Sequence, residues 1–180
     1  MEEFLRSVPK IQKRRDLIMS EHEYLEGKRI LIVDDEPDVL DSLEDLLSMC
    51  EVTKASNFQD AKAYLQARYF DIAVLDIMGV EGYDLLEIAN KKNIAAAMLT
   101  AHALSPENLV KSYKEGAASY LPKEEMINIA SFLNDILEAR EKGKDPWTRW
   151  YDRMGSFFEK RFGQEWKKTD EEFWEKFPFY

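Results

Sequence analysis

Five polar residues of this sequence carry the side chains that phosphoryl-transfer chemistry requires. They are Asp34, Asp35, Asp76, Thr100 and Lys123, and each lies at or just beyond the end of a short apolar run. Three carboxylates in one crevice repel one another, and a hard divalent cation relieves that repulsion. Mg²⁺ suits such a set because it binds carboxylates and keeps water and a phosphate oxygen in its shell. A carboxylate nucleophile beside a metal ion, a lysine and a hydroxyl is sufficient for phosphoryl transfer, which depends mainly on positioning and charge neutralisation.

The segments that must position these residues alternate between strand and helix patterns. Short apolar runs predict five strands, at residues 30–33, 52–55, 70–75, 94–99 and 118–121. Helical spacing predicts helices from Pro37 to about Met49, after a cap at Asn57, near Tyr83, from Ser105-Pro106, and along Ile127 to Leu137. Five such units predict an α/β fold with a parallel sheet between helices.

In a parallel sheet of this kind, ligands bind at the carboxyl ends of the strands, which is where the five polar residues fall. A single aspartate at a strand end is usually a turn residue. It is the occurrence of all five polar residues at strand ends that indicates a functional site. Its motifs read Ile-Leu-Ile-Val-Asp-Asp-Glu-Pro at 30–37, Ala-Val-Leu-Asp-Ile-Met at 73–78, Met-Leu-Thr-Ala at 98–101 and Gly-Ala-Ala-Ser-Tyr-Leu-Pro-Lys at 116–123. Residues 28–140 thereby resemble the receiver domain of bacterial two-component response regulators.

The resemblance implies a doubly wound, flavodoxin-like sheet of five parallel strands in the order 2-1-3-4-5. It also implies that Asp76 accepts a phosphoryl group from a histidine kinase or a histidine phosphotransfer protein. Asp34 and Asp35 would hold Mg²⁺ together with Asp76 and the backbone carbonyl of Met78. Lys123 would pair with the phosphoryl group.

Two further roles follow from the same resemblance. Thr100 would hydrogen-bond the phosphoryl group, and Tyr120 would rotate inward behind it as the switch aromatic. The small Ala101 would leave the phosphorylation pocket open. Met78 and His102 lie where the family varies its dephosphorylation rate, although both are equally well explained as loop residues.

The sequence departs from the family pattern at two places. The loop at residues 77–82 is about two residues shorter than the usual form, so metal affinity and kinase docking are expected to be unusual. Glu124 follows Lys123 where the family commonly has a proline, and a cis peptide bond is therefore not expected there.

Composition and charge exclude several classes of protein. A net charge of −10 argues against binding nucleic acid through a broad basic surface. No apolar run approaches the ~20 residues of a membrane helix, and the N-terminus lacks a signal-peptide layout. The single cysteine, Cys50, rules out an intrachain disulfide. We therefore expect a cytoplasmic protein.

The chain divides into an N-terminal extension (1–27), the receiver-like region (28–140) and a C-terminal aromatic helical extension (141–180), which holds all four tryptophans. A helix is predicted to begin at Asp145-Pro146 and to stop at Gly163. A capping box at residues 169–172, with Thr169 as the cap, predicts a second, short helix. These aromatic residues either pack back on the receiver-like region as additional core, form a partner or self-association surface, or dock on a membrane surface.

Three functions remain open at this level. The first is a phosphoacceptor signalling protein without a catalytic or DNA-binding output, for which homodimerisation through the face of the fourth helix, fifth strand and fifth helix is expected. The second is an aspartyl phosphatase, which is disfavoured because haloacid-dehalogenase-like enzymes need Asp-x-Asp and Asp76 is followed by Ile77 and Met78. The third is a constitutive binding module with vestigial phosphorylation. No separate enzymatic activity is expected.

Overall fold

A five-stranded parallel sheet forms the centre of the structure, a computed structural model that describes residues 21–179. Its strands are β1 (Arg29–Val33), β2 (Glu51–Ala55), β3 (Ile72–Asp76), β4 (Ala95–Thr100) and β5 (Ser119–Pro122), arranged in the order β2-β1-β3-β4-β5. All four neighbouring pairs are parallel. Every residue of β3 is buried, as expected of a central strand covered on both faces. The predicted fold class and strand order are confirmed.

Five helices connect and flank the strands. They are α1 (Pro37–Leu46), α2 (Phe58–Ala67), α3 (Gly82–Lys91), α4 (Pro106–Lys114) and α5 (Ile129–Glu141). Asn57 caps α2 by accepting the Asp60 backbone N–H, and Ser105 caps α4 by accepting that of Asn108. Both caps were predicted from the sequence, because a side-chain oxygen there satisfies a backbone donor of the first turn.

The structure corrects two details of the predicted elements. Helix α1 ends at Leu46, three residues before the predicted end. Residues Lys123–Asn128 form a 3₁₀ helix before α5, and Ile127, predicted to face the core, is 71% exposed. A 3₁₀ turn has three residues rather than 3.6, so the apolar stripe of α5 does not extend backwards through it.

The C-terminal extension contains α6 (Trp147–Phe162), a second 3₁₀ helix (Trp166–Asp170) and α7 (Glu171–Glu175). Helix α6 stops at Gly163, as predicted, with that glycine at φ 84°. The predicted capping box is wrong by one residue. Asp170, not Thr169, caps α7 by accepting the Phe173 N–H, while the Thr169 hydroxyl donates to the Trp166 carbonyl.

The extension packs against the receiver-like region, as the additional-core hypothesis expects. The Trp147 indole N–H donates to the Ala117 carbonyl at 2.9 Å, and the Trp150 indole N–H donates to the Tyr120 carbonyl at 2.7 Å. Tyr113 of α4 lies 5.2 Å from Trp147 and 5.0 Å from Phe173, measured between ring centroids. These aromatic side chains therefore belong to the same core as the sheet.

The predicted N-terminal extension is described only from residue 21. Leu25 is fully buried, the Tyr24 backbone N–H donates to Asn134 Oδ1 of α5, and His22 Nε2 lies 3.2 Å from Ser131 Oγ. Residues 21–27 therefore pack on α5, and residues 1–20 lie outside the described part. None of the helices between residues 21 and 179 is both long and apolar enough to cross a membrane.

Candidate functional site

The carboxyl edge of the sheet brings together residues that are far apart in the sequence. Asp76 is the last residue of β3, Thr100 is the last residue of β4, and Lys123 directly follows β5. In the strand register Thr100 pairs with Pro122, which places Lys123 next to it. Because all five strands run in the same direction and end at one edge, the sheet itself is sufficient to gather these side chains.

Lys123 lies among three carboxylates. Its Nζ is 2.7 Å from Asp34 Oδ2, 2.7 Å from Glu36 Oε1 and 3.6 Å from Asp76 Oδ1. The lysine side chain is 13% exposed, whereas Asp34 is fully buried. The structure thus brings the side chains of Asp34, Asp76 and Lys123 together.

Sequence reasoning missed Glu36 as a member of this site. Glu36 precedes α1, and its carboxylate accepts a hydrogen bond from Lys123, which lowers the pKa of Glu36. The signal that could have identified it is the third acidic residue in the run that begins at Asp34.

Burial dominates the electrostatics of the two inner carboxylates. It raises the pKa of Asp76 to about 7, the negative charge of Asp34 adds to this, and Lys123 opposes it. Burial likewise raises the pKa of Asp34 against the hydrogen bond from Lys123. Burial alone would lower the pKa of Lys123, but hydrogen bonds to Asp34 and Glu36 raise it instead. One ammonium therefore does not neutralise the cluster, and additional positive charge would be favourable there.

The acidic residues after β1 fit a hard divalent cation. Asp34, Asp35 and Glu36 each offer a carboxylate oxygen, and these atoms lie within 4.8 Å of one another. Asp34 Oδ2 is buried and forms an ion pair with the Lys123 ammonium, whose Nζ lies 2.7 Å away. One buried and two exposed carboxylates that converge in this way are oxygen ligands of the kind that Mg²⁺ prefers.

The short loop after Asp76 runs against Asp35. A Cβ atom at Gly79, which has φ +86°, would lie 2.6 Å from Asp35 Oδ2, and one at Gly82 would lie 2.1 Å from the Asp76 carbonyl oxygen. Glycine at these two positions lets the loop turn closely over the site. Met78, in the same loop, is 53% exposed, and its role as a carbonyl ligand stays a prediction.

Thr100 and Tyr120 hold the same loop after β4. Thr100 Oγ1 accepts the Ala103 backbone N–H at 2.9 Å. The Tyr120 hydroxyl donates to the Ala103 carbonyl at 2.7 Å and accepts the Ser105 N–H at 3.2 Å. Tyr120 is fully buried, so the structure places it on the inner side of this loop, whereas Ala101 and His102 are exposed.

Comparison with known proteins assigns this arrangement to a family. A family model described as the response regulator receiver domain matches residues 30–132. The chain belongs to this family. The match lies within the predicted receiver region, 28–140, and omits the C-terminal extension.

Related proteins and solved structures agree with the assignment. Two curated two-component response regulators of Arabidopsis thaliana are 35% identical over 103 residues and 34% identical over 114 residues. A CheY-like receiver domain protein from Methanospirillum hungatei is 33% identical, with a TM-score of 0.59 over 66% of this chain and 99% of that one. The receiver domain of the Francisella response regulator 1452 is 25% identical, with a TM-score of 0.56 over 64% of this chain and 99% of that one.

The similarity is confined to the receiver domain. The two matches to the Arabidopsis proteins span 54% and 57% of this chain but 16% and 20% of those relatives. The family assignment therefore applies to the receiver domain, and the activities and partners of the longer relatives do not transfer with it.

Proposed function

We propose that this receiver domain accepts a phosphoryl group on Asp76 from a phosphohistidine of a histidine kinase or a histidine phosphotransfer protein. The observation that supports this most directly is the position of the Asp76 carboxylate at the sheet edge, with Lys123 Nζ 3.6 Å away. In the transfer, an Asp76 oxygen forms a bond to phosphorus as the phosphorus–nitrogen bond of the donor breaks. The histidine nitrogen leaves with the bonding electron pair and takes up a proton, and Asp76 becomes an acyl phosphate.

The residues around Asp76 divide the remaining tasks. Lys123 places an ammonium beside the phosphorylated carboxylate, and Thr100 contributes a hydroxyl from the neighbouring strand end. Asp34, Asp35, Asp76 and the carbonyl of Met78 are the proposed ligands of Mg²⁺. When bound, this ion supplies positive charge that offsets the negative charge of the phosphoryl oxygens.

The proposed output of the chain is a change of protein contacts. Thr100 and Tyr120 act as the switch, because both are bonded to the loop that contains Ala103. Self-phosphorylation from small phosphodonors and autodephosphorylation are the only reactions that we expect the chain to perform.

Intact mass spectrometry tests the proposal. The full chain is incubated with phosphoramidate and Mg²⁺, and the expected result is one added phosphoryl group per chain. Asp76→Asn and chelation by EDTA should both abolish the adduct. Asp84→Asn is the matched control, because Asp84 is an exposed aspartate of α3 and should leave the adduct unchanged.

One observation favours an alternative, a constitutive binding module with vestigial phosphorylation. The loop after Asp76 is about two residues shorter than the usual form of the family, and Gly79 of this loop lies against the Asp35 carboxylate of the proposed metal site, so Mg²⁺ binding is the step that it would impair. Absence of an adduct from a folded protein in Mg²⁺ would support this alternative and contradict the phosphoacceptor proposal.

A further inference from the structure

We propose that residues 145–179 of the C-terminal extension dock less tightly on the receiver domain when Asp76 is phosphorylated. The inference rests on the proposed function of Asp76. It assigns an output to a segment that lies outside the matched receiver domain.

The extension is docked directly on Tyr120. The Trp150 indole donates to the Tyr120 carbonyl, and the Phe158 ring lies 6.2 Å from the Tyr120 ring between centroids. Trp150 and Phe158 also contact each other, with centroids 5.5 Å apart. None of these three residues is more than 2% exposed. Both the backbone and the ring of Tyr120 are therefore in contact with α6.

A short chain of hydrogen bonds connects this contact with the phosphorylation site. Thr100 Oγ1 accepts the Ala103 N–H, and the Tyr120 hydroxyl donates to the carbonyl of the same Ala103. If Thr100 turns its hydroxyl towards a phosphoryl group on Asp76, its bond to Ala103 is strained or lost. The loop then shifts, and the anchor of the Tyr120 hydroxyl shifts with it.

Close packing around Tyr120 indicates that phosphorylation weakens, rather than strengthens, the docking of α6. The Tyr120, Trp150 and Phe158 side chains are closed off from solvent and fit against one another. Close-packed side chains have little free space, so a displacement of Tyr120 forfeits contacts with α6 rather than improving them. Because coupling between two sites is reciprocal, an extension that docks less tightly must also favour phosphorylation.

Loosening of the extension would change the surface that this chain presents. Helix α6 spans β5 and both flanking helices. Trp150 contacts Tyr120 of β5, and Trp147 lies against Tyr113 of α4. Arg149 and Arg153 form ion pairs with Asp135 of α5. While α6 is docked, a partner or a second copy cannot occupy this face, and loosening makes it accessible.

Hydrogen exchange combined with intact mass measurement tests the inference on the full chain. Phosphoramidate and Mg²⁺ are added, the adduct is quantified, and amide exchange is followed in peptides that cover α6. We expect α6 amides to exchange at least about fivefold faster in the phosphorylated protein, a coupling at the low end of those between linked sites. Tryptophan emission is a second readout, because all four tryptophans lie in the extension. Neither signal should change with Asp76→Asn.

Reciprocity is tested from the side of the extension. Trp150→Phe keeps an aromatic ring but removes the hydrogen bond to Tyr120. The α6 amides should therefore exchange faster before phosphorylation, and a larger fraction of the chain should carry the adduct at steady state. Trp174→Phe is the matched control, because the buried Trp174 indole N–H has no hydrogen-bond partner to lose. It should change both the α6 exchange and the adduct fraction much less than Trp150→Phe does.

The outcomes separate the two proposals. An adduct with unchanged α6 exchange and unchanged tryptophan emission would overturn this inference and leave the phosphoacceptor function standing. Equal steady-state adduct fractions for Trp150→Phe and Trp174→Phe would also overturn it. Absence of any adduct would overturn the phosphoacceptor function and this inference with it.

Discussion

Lys123 is the residue on which the electrostatic balance of the site depends. Its ammonium lies within 3.6 Å of carboxylate oxygens from Asp34, Glu36 and Asp76. Two of these carboxylates are buried, where a charge without a partner is costly, so the lysine stabilises the site in the absence of a metal ion. The same charge opposes the binding of any other cation nearby.

Replacement of Lys123 should therefore strengthen binding of Mg²⁺ while impairing phosphorylation. For Lys123→Met we expect Mg²⁺ to bind about tenfold more tightly, which corresponds to about 1.4 kcal/mol of repulsion removed. Isothermal titration calorimetry measures the affinity. Lys54→Met is the control, because Lys54 pairs with Asp41 and Glu44 outside the site. An unchanged or weaker Mg²⁺ affinity of Lys123→Met would contradict the proposed metal site.

The single cysteine should react slowly. Burial, with a smaller contribution from the charge of Asp71, raises the pKa of the Cys50 thiol to about 11, and its Sγ donates to the Leu25 carbonyl. The thiolate is the reactive form of a cysteine. A rise of the thiol pKa from 9.0 to about 11 lowers the thiolate fraction near neutral pH about a hundredfold. At pH 8 the folded chain should thus be alkylated about a hundredfold more slowly than the urea-unfolded chain. The rate should rise with pH up to about 11; comparable rates for folded and unfolded chains would contradict the prediction.

Among the helices, local sequence accounts for the starts of α2 and α4 but not for the start of α7. Asn57 and Ser105 cap their helices through contacts within four residues. Asp170 caps α7 and also forms an ion pair with Lys114 of α4, at 2.8 Å. This partner lies 56 residues away in the sequence, so no local pattern around residues 169–172 contains it.

The corrected cap can be tested with two neighbouring substitutions. Asp170→Ala removes both the cap of α7 and the ion pair with Lys114, so it should lower the urea midpoint of unfolding clearly. Thr169→Ala removes one hydroxyl bond to the Trp166 carbonyl and should lower the midpoint much less. If Thr169→Ala had the larger effect, the capping box predicted from the sequence would be right after all.

At the scale of the whole molecule, one hydrophobic core extends from the sheet into the extension. Trp150 and Phe158 of α6 contact Tyr120 of β5, and Trp166 contacts Phe158, with centroids 5.1 Å apart. Buried side chains in continuous contact lose their packing together, so the extension and the receiver domain should unfold in one step.

Urea unfolding with two probes tests this expectation. Tryptophan emission reports on the extension alone, and far-ultraviolet circular dichroism reports on all helices. The two transitions should coincide, and separate midpoints would show that the extension unfolds independently.

Two adjacent phenylalanines provide a matched pair for the same measurement. Phe158→Ala leaves a cavity at a fully buried position and should lower the free energy of unfolding by about 3–5 kcal/mol. Phe157→Ala, at a half-buried position, should lower the free energy of unfolding much less. Both probes should shift together for Phe158→Ala, since its side chain joins the extension to the core. A loss of tryptophan signal without a shift in dichroism would contradict the single core.

The sequence by itself determined which segments form strands and helices, and which residues lie at the carboxyl edge of the sheet. Continuous apolar runs predict buried strands because both faces of a parallel sheet are covered, and the strand direction then places Asp34, Asp76, Thr100 and Lys123 at one edge. Short-range signals such as the Asn57 cap are equally local. These features depend on contacts within a few residues or on the topology that alternating strands and helices impose.

Only the tertiary structure decided how distant side chains are paired. The Glu36 contact with Lys123, the outward position of Ile127 and the cap at Asp170 each depend on geometry between separate elements. The aromatic stripe of α6 likewise predicts a buried face without specifying what covers it. Tyr120 and Tyr113 cover it because β5 and α4 present a complementary surface, and shape complementarity of that kind exists only once the sheet has formed.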